Sequence, residues 1–417
     1  MGQSISLIGT WMQRIALGWL VYRLTNSAFL LGIVGFVGQL PTFLVTPFAG
    51  VFADRLNRHK MVIITQVVAM LQALMLAALV LNGHILIWQV LVLSAVLGLV
   101  NSVDMPTRQS FMIEMIDNRE DLGNAIAMNS SMVNVARLLG PSLAGLLIAE
   151  VGEGICFLLN GLSYIPVIIA LFLMRLPQFQ AKIQKLNPWQ DLVAGFRYAY
   201  SFPPVRAILM LLGLASLMGM PYTVLMPVFA KSILKGGPNT LGFLMAAAGM
   251  GALVGALLLA TRRSVVGLGR WIAMSTIFLG TGLITFAFSR TMPLSLFFMF
   301  LTGFGMISMM ASGNTVLQTI VEDDKRGRVM SFYTVAMMGM TPFGSLLFGF
   351  IAGHAGASIT LIIGGVSCII GALIFYSHLP ALRVVVRPIY VKMGIIPEIA
   401  DGLQRANEIN QYNRTVS

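Results

Sequence analysis

The sequence predicts an all-α membrane protein of about twelve transmembrane helices. Three observations lead there. Of 417 residues, 57% are hydrophobic and only 10% are charged, whereas a soluble domain carries about 25% charged residues. Apolar runs of membrane-spanning length recur along nearly the whole chain. The basic residues fall almost entirely in the short segments between those runs. Runs this long must be helices, because lipid offers the backbone no hydrogen-bond partner.

The expected spans follow the apolar stretches in order. The first six are Ser4–Tyr22, Phe29–Ala53, Met61–Leu81, Leu86–Val103, Leu122–Glu150 and Ile155–Met174. The second six are Ile208–Ala230, Leu241–Thr261, Trp271–Phe288, Pro293–Ile320, Val329–Ala352 and Ser358–Tyr376. The domain division is then a six-helix bundle over 1–174, a linker over 175–206, a second bundle over 207–378 and a polar tail over 379–417. The linker segment Trp189–Tyr200, with aromatics near Asp191 and Arg197, reads as an interfacial amphipathic helix. Pro397–Asn410 reads as a short surface helix or a loose tail.

Charge sets the expected orientation. With both termini inside, inside segments hold 21 of the 27 Lys and Arg residues, outside loops hold Arg23, Lys231, Lys235 and Arg290, and Arg14 and Arg137 fall within spans. That asymmetry places both ends in the cytoplasm of a bacterial inner-membrane protein and calls for an even number of spans. The same placement turns the net charge of +12 into a topology signal and argues against nucleic acid as a partner. Arg14 interrupts the first apolar run, which excludes a signal peptide. Cys156 and Cys368 lie inside apolar runs, where a thiol is a small core hydrophobe and neither a disulfide nor a metal site is expected.

The halves echo each other. Gly123, Gly140 and Gly145 recur 204 residues later as Gly327, Gly344 and Gly349. The preceding loops, IDNREDLGN (Ile116–Asn124) and VEDDKRGR (Val321–Arg328), share their chemistry. Internal symmetry of this kind marks carriers built from repeats, with a binding site between them near the midplane.

A buried charge costs roughly 2.5–3.5 kcal/mol on insertion scales, so it is usually kept for function. Arg14 and Arg137 are the basic residues well inside spans, and Arg137 lies roughly 21 Å into span five. They recognise an anionic or polar substrate through the guanidinium fork, or bond structurally to a neighbouring helix. Gly140, Pro141 and Gly145 bend span five and let a neighbour approach. Asp104 carries protons or pairs with Arg108, the pair being favoured. All four His residues fall near span ends. The methionines at 306, 309, 310, 337, 338 and 340 line a cavity for varied apolar cargo or fill helix contacts.

Several segments resemble a known family. GVFADRLNRHK (Gly50–Lys60) resembles the loop signature of the major facilitator superfamily, and NVARLLGPSLAG (Asn134–Gly145) resembles the Gly-Pro motif of its exporters. GTWMQRIALGWLVYRLTNSAF (Gly9–Phe29) and VDMPTRQSFMIEMI (Val103–Ile116) resemble the bacterial branch that includes the enterobactin exporter. The resemblance covers about residues 1–395. Such proteins usually carry a basic leader before the first-span motif, and this sequence does not, so the start is expected to be truncated or misassigned. The loop motif departs at Asn57 and His59, and its second-half counterpart, TRRSVVGLGR (Thr261–Arg270), lacks the Asp.

The resemblance implies two six-helix bundles related by pseudo-two-fold symmetry and a monomeric carrier. It implies proton-driven efflux of siderophore- or drug-like amphipathic molecules, with an importer or a lipid flippase as the alternative on the same scaffold. It implies a cytoplasmic charge latch of Asp54 with Arg55, Arg58 and Arg108, and a periplasmic seal built on Arg137, Gly140, Pro141 and Gly145. Because spans one, four, seven and ten line the cavity in this superfamily, the cavity candidates are Trp11, Gln13, Arg14, Asn101, Asp104, Tyr222, Asn314 and Gln318. The partners are then a small-molecule substrate and the lipid bilayer. The chain carries no paired intramembrane acids, His-rich spacing or GxxxxGK[ST] loop, so an intramembrane enzyme, a sensor or an ATP-driven pump is disfavoured. No cofactor is called for, the energy coming from an ion gradient.

Overall fold

The computed structural model describes residues 2–55, 57–114, 121–174, 197–262 and 264–396. Six helices form the first half: α1 (Gly2–Thr25), α2 (Ala28–Arg55), α3 (Arg58–Leu81), α4 (Ile87–Glu114), α5 (Leu122–Val151) and α6 (Glu153–Leu173). Six more form the second: α7 (Pro203–Ile233), α8 (Pro238–Ala260), α9 (Leu268–Phe288), α10 (Met292–Ile320), α11 (Asp323–Ala355, in three pieces) and α12 (Ala357–Lys392). Eleven segments among the described residues are long and apolar enough to cross a membrane. The remaining one, α1, carries Gln13 and Arg14 at its middle, which lowers its hydropathy without shortening it.

Twelve alternating passes put the start of α1 and the end of α12 on one face, called here the terminal face; the opposite one is the far face. Most of Trp189–Tyr200, the segment Pro397–Asn410 and the greater part of Ile116–Asn124 lie outside the described residues.

Helix ends differ from the apolar runs. The expected fourth span stops at Val103, yet α4 continues to Glu114 through Pro106. The expected twelfth stops at Tyr376, yet α12 runs on through Pro380 and Pro388 to Lys392. At 36 residues, and about 1.5 Å per residue, α12 is roughly 54 Å long against a hydrocarbon core of about 30 Å. The polar tail therefore begins as rigid helix, with Leu382, Val386, Ile389 and Tyr390 packed on the core.

Two segments are interrupted where their sequences predict trouble. In α7, Pro203–Met218 gives way at Gly219–Pro221 to Tyr222–Val228 and then to a π-helical turn, Phe229–Ile233. Pro221 and Pro227 lack the N–H that an unbroken ladder needs. In α11, Asp323–Thr334 passes through a π-helical turn, Val335–Gly339, before Thr341–Ala355. The Ser216 hydroxyl of α7 donates to the Met337 carbonyl at 2.6 Å, and Thr341 Oγ1 donates to it at 3.1 Å. Those hydroxyls satisfy a backbone group that the π turn frees.

The repeat is visible in geometry. Gly152 links α5 to α6 at φ 83°, ψ 172°, and Gly356, also 204 residues on, links α11 to α12 at φ 89°, ψ 155°. Only glycine adopts that region freely, so each turn needs one. The two halves meet along two matching seams. Gly145 of α5 faces Gly242 of α8, and Gly349 of α11 faces Gly32 of α2. In the first seam a Cβ at Gly242 would lie 2.7 Å from the Pro141 carbonyl oxygen. Phe29, Phe36 and Phe43 of α2 extend the second, edge-on to Phe350 and Phe343 of α11. These described contacts between halves lie at mid-depth or toward the far face.

Candidate binding site between the halves

Helix α1 sends its polar side chains in two directions. Gln13 turns into its own half, where it is buried. Its Nε2 donates to Gln72 Oε1 of α3 at 3.0 Å, and its Oε1 accepts from Asn160 Nδ2 of α6 at 2.6 Å. Expected in the central cavity, Gln13 instead ties three helices of one bundle.

Trp11 and Arg14 point the other way. Gly18 and Tyr22 share the face of Trp11 at helical spacing, and both touch α7: Gly18 lies against Pro227, and the Tyr22 hydroxyl pairs with Ser232 Oγ at 2.7 Å. That face therefore looks across to the second half. Arg14 Cζ lies 5.0 Å from the centroid of the Trp11 ring, and Arg137 Cζ of α5 lies 5.3 Å from the same ring. Each approach is within cation–π range.

Glycines make this convergence possible. Gly140, one turn beyond Arg137, lies so close to Trp11 Cβ that any side chain there would part α1 from α5. On the other flank, a Cβ at Gly249 of α8 would lie 3.0 Å from the Arg137 carbonyl oxygen. Tyr222 of α7 is wholly buried. Arg137 of α5 is thus held between α1 and α8, at the junction of the halves.

Charge balance at this junction is one-sided. Nε and Nη1 of Arg137 are buried with no hydrogen-bond partner among the described residues. Arg14, near the middle of α1, remains exposed although its helix is packed against α5, α6 and α7, so it lines internal space. The two guanidiniums repel one another. Neither has a carboxylate partner among the described residues, where ion pairs such as Arg23–Glu153, Arg108–Asp104 and Lys325–Glu322 are seen.

The other candidates fall elsewhere. Asp104 Oδ1 accepts from Thr65 Oγ1 at 2.7 Å and Gln66 Nε2 at 2.9 Å, and both carboxylate oxygens accept from Arg108 Nη2 at 3.0 Å. Arg108 Nη1 donates onward to Gln3 at 2.6 Å. Asp104 and Arg108 are thus a satisfied pair toward the terminal face. Asn101 is half-buried on α4. On α10 Gln318 Nε2 donates to Asn314 Oδ1 at 3.0 Å. The side chains of Asp54 and Arg55 lie outside the described residues. Arg58 opens α3, which Asn57 caps by accepting from the Lys60 N–H at 3.1 Å. Met309 and Met337 are buried, whereas Met338 is exposed. Cys156 and Cys368 are buried free thiols.

Fold and site together are those of a carrier, and comparison with known proteins agrees. Residues 1–386 match the family described as transmembrane secretion effector. The chain belongs to this family of major facilitator transporters. It is 27% identical over 376 residues to the staphyloferrin A transporter of Staphylococcus aureus, covering 88% of this chain and 92% of that one. It is 26% identical over 356 residues to the multidrug efflux pump Tap of Mycolicibacterium fortuitum, covering 84% and 87%. Among solved structures, a bacterial homologue of the human lysosomal transporter Spinster superposes with a TM-score of 0.69 at 14% identity, covering 94% of this chain and 97% of that one. A peptide transporter of the POT type reaches 0.73 at 11% identity, covering 91% and 93%. At such identities these likenesses speak for the major facilitator fold alone. The chain is a multi-pass membrane transporter and not an enzyme.

Sequence reasoning missed the amides Gln72 and Asn160 and the Thr65–Gln66 pair. Their signal was available, since each is polar within an apolar span, but a single sequence does not say which polar groups meet.

Proposed function

We propose that this transporter exports small amphipathic molecules, siderophore- or drug-like, in exchange for protons, by alternating access, from the bacterial cytoplasm. The observation that carries the reading is the unpaired Arg14–Trp11–Arg137 cluster between two symmetric halves, at the depth where repeat-built carriers hold their cargo. The printed functions of the relatives, a siderophore transporter and a multidrug efflux pump, support cargo of that kind. The 21 basic residues outside the spans and outer loops support placing the terminal face in the cytoplasm. In that orientation the glycine seams close the periplasmic side, and export requires Gly32–Gly349 and Gly145–Gly242 to part.

The test is transport in everted membrane vesicles loaded with a pH-sensitive dye. Addition of a transported cargo should dissipate the proton gradient. Uptake of one compound by whole cells, with no cargo response in everted vesicles, would instead establish an importer. The cytoplasmic latch belongs to the same proposal: a carboxylate at Asp54 caps the positive N-terminal end of α11. Asp54→Asn should slow transport with expression intact, and an unchanged rate would remove the latch.

A further inference from the structure

We infer that the cargo of this carrier is an organic anion, an aromatic or apolar body bearing a carboxylate, received by Arg14 and Arg137 against the Trp11 ring. The inference rests on the transport reading above and narrows its substrate class.

Three independent observations converge on it. First, two cations meet over one indole with no described acid beside either of them. Structural arginines inside a membrane normally pair with an acid or with backbone carbonyls, as Arg108 does with Asp104. Second, Arg137 keeps Nε and Nη1 buried and unbonded among the described residues. A buried donor without a partner is costly, and each of these two N–H groups can give a charge-assisted hydrogen bond to a carboxylate oxygen. Third, the pair sits where the halves meet: Trp11 shares a face with residues touching α7, and the Arg137 backbone packs against Gly249 of α8. An anion bound there would neutralise the Arg14–Arg137 repulsion and contact both halves at once.

The chemistry selects against other cargo. A lipophilic cation would be repelled by two guanidiniums and would find no described carboxylate to pair with. A neutral cargo would stack on Trp11 yet leave the Arg14–Arg137 repulsion uncompensated and offer Arg137 only the weaker neutral acceptors. The ring supplies an apolar surface for the body of the ligand, which an inorganic anion would not use.

The test uses the purified full-length protein in nanodiscs and reads the Trp11 fraction of tryptophan fluorescence, obtained by difference from Trp11→Phe. Two positive charges in a low-dielectric cleft concentrate anions by on the order of tenfold or more. With each quencher normalised to its effect on free N-acetyltryptophanamide, iodide should therefore quench Trp11 about tenfold better than caesium, and Arg14→Gln/Arg137→Gln should bring the normalised values to parity. Arg137→Lys, which keeps the charge but not the fork, should retain iodide quenching and lose carboxylate protection, which also controls for folding. Phthalate should protect Trp11 from iodide, whereas the neutral dimethyl phthalate and phosphatidylglycerol in the disc should not. Equal normalised quenching by iodide and caesium in the unaltered protein would overturn the inference, as would equal protection by phthalate and its dimethyl ester. Protection by phosphatidylglycerol alone would overturn it in favour of a lipid headgroup.

A parallel transport measurement separates this failure from failure of the export reading. Ethidium efflux that survives Arg14→Gln/Arg137→Gln unchanged would leave an exporter standing and remove the anion. A Trp11 site that binds phthalate, in a protein that moves no cargo in everted vesicles, would leave the anion site standing and remove the exporter.

Discussion

The glycine seam between α2 and α11 gives the sharpest prediction about conformational change. A methyl group at Gly32 would sit 2.6 Å from the Ser345 carbonyl oxygen and 2.7 Å from Gly349 Cα; one at Gly349 would sit 2.7 Å from Gly32 Cα and 3.0 Å from the Ala28 carbonyl oxygen. Ordinary contact begins at 3.4 Å, and the obstructing atoms are backbone, so two helices must part by roughly half an ångström or more to accept the methyl. Overpacking of this kind costs about 1–3 kcal/mol. The cost falls only on the state in which the seam is closed, so Gly349→Ala should move the equilibrium away from far-face closure by roughly 5- to 150-fold. Spin labels at Leu24→Cys and His354→Cys, both exposed near the far face, report the separation, and the native thiols are buried. The distance distribution should shift to longer values. Gly242→Ala, whose methyl would meet the Pro141 carbonyl oxygen at 2.7 Å and Gly145 Cα at 2.9 Å, should act in the same direction across the other seam. Distance distributions unchanged by Gly349→Ala, with normal transport, would refute the assignment of this seam as the gate.

Other perturbations separate structural roles from functional ones. Gly152→Ala and Gly356→Ala add a methyl to open space but force it into a glycine-only region, so each should lower stability by about 1–3 kcal/mol, read as a fall in thermal unfolding temperature with transport retained. Arg23 bonds Glu153 at 2.7 Å, and Glu153 is the more buried partner at 7% side-chain exposure against 47%. Arg23→Ala should therefore destabilise more than Glu153→Gln, because it strands a buried carboxylate; the opposite order in thermal unfolding would contradict the geometry. Asp104→Asn should lower stability, since the carboxylate accepts from Thr65, Gln66 and Arg108, while transport continues. Complete loss of proton coupling in a protein that still folds would instead make Asp104 the proton carrier.

Much of the architecture was legible in the residues themselves. Lipid leaves the backbone no partner, so apolar length alone implied helices, and the 204-residue glycine echo implied a repeat. That echo extends further than the trio at 123, 140 and 145: Gly152 and Gly356 occupy the same rare backbone region. Helix ends were less legible. Hydropathy reports contact with lipid, whereas α4 and α12 continue past their apolar runs, where side chains such as Arg108 and Tyr390 find partners in the fold.

The candidate site divides along the same line. By itself the sequence determined that Arg14 and Arg137 lie deep within spans, because a charge inside an apolar run is costly wherever the helix packs. It could not choose between a structural bond and an open guanidinium, since that depends on what a helix more than a hundred residues away presents. Only the tertiary structure decided that Gln13 turns inward to Gln72 and Asn160 while Arg14, its immediate neighbour, turns to the Trp11 ring. Adjacent helical residues point about 100° apart, and packing against α3, α5, α6 and α7 sets where each direction leads. The same packing brought Arg137 to the Trp11 ring and left two of its donors without a partner among the described residues.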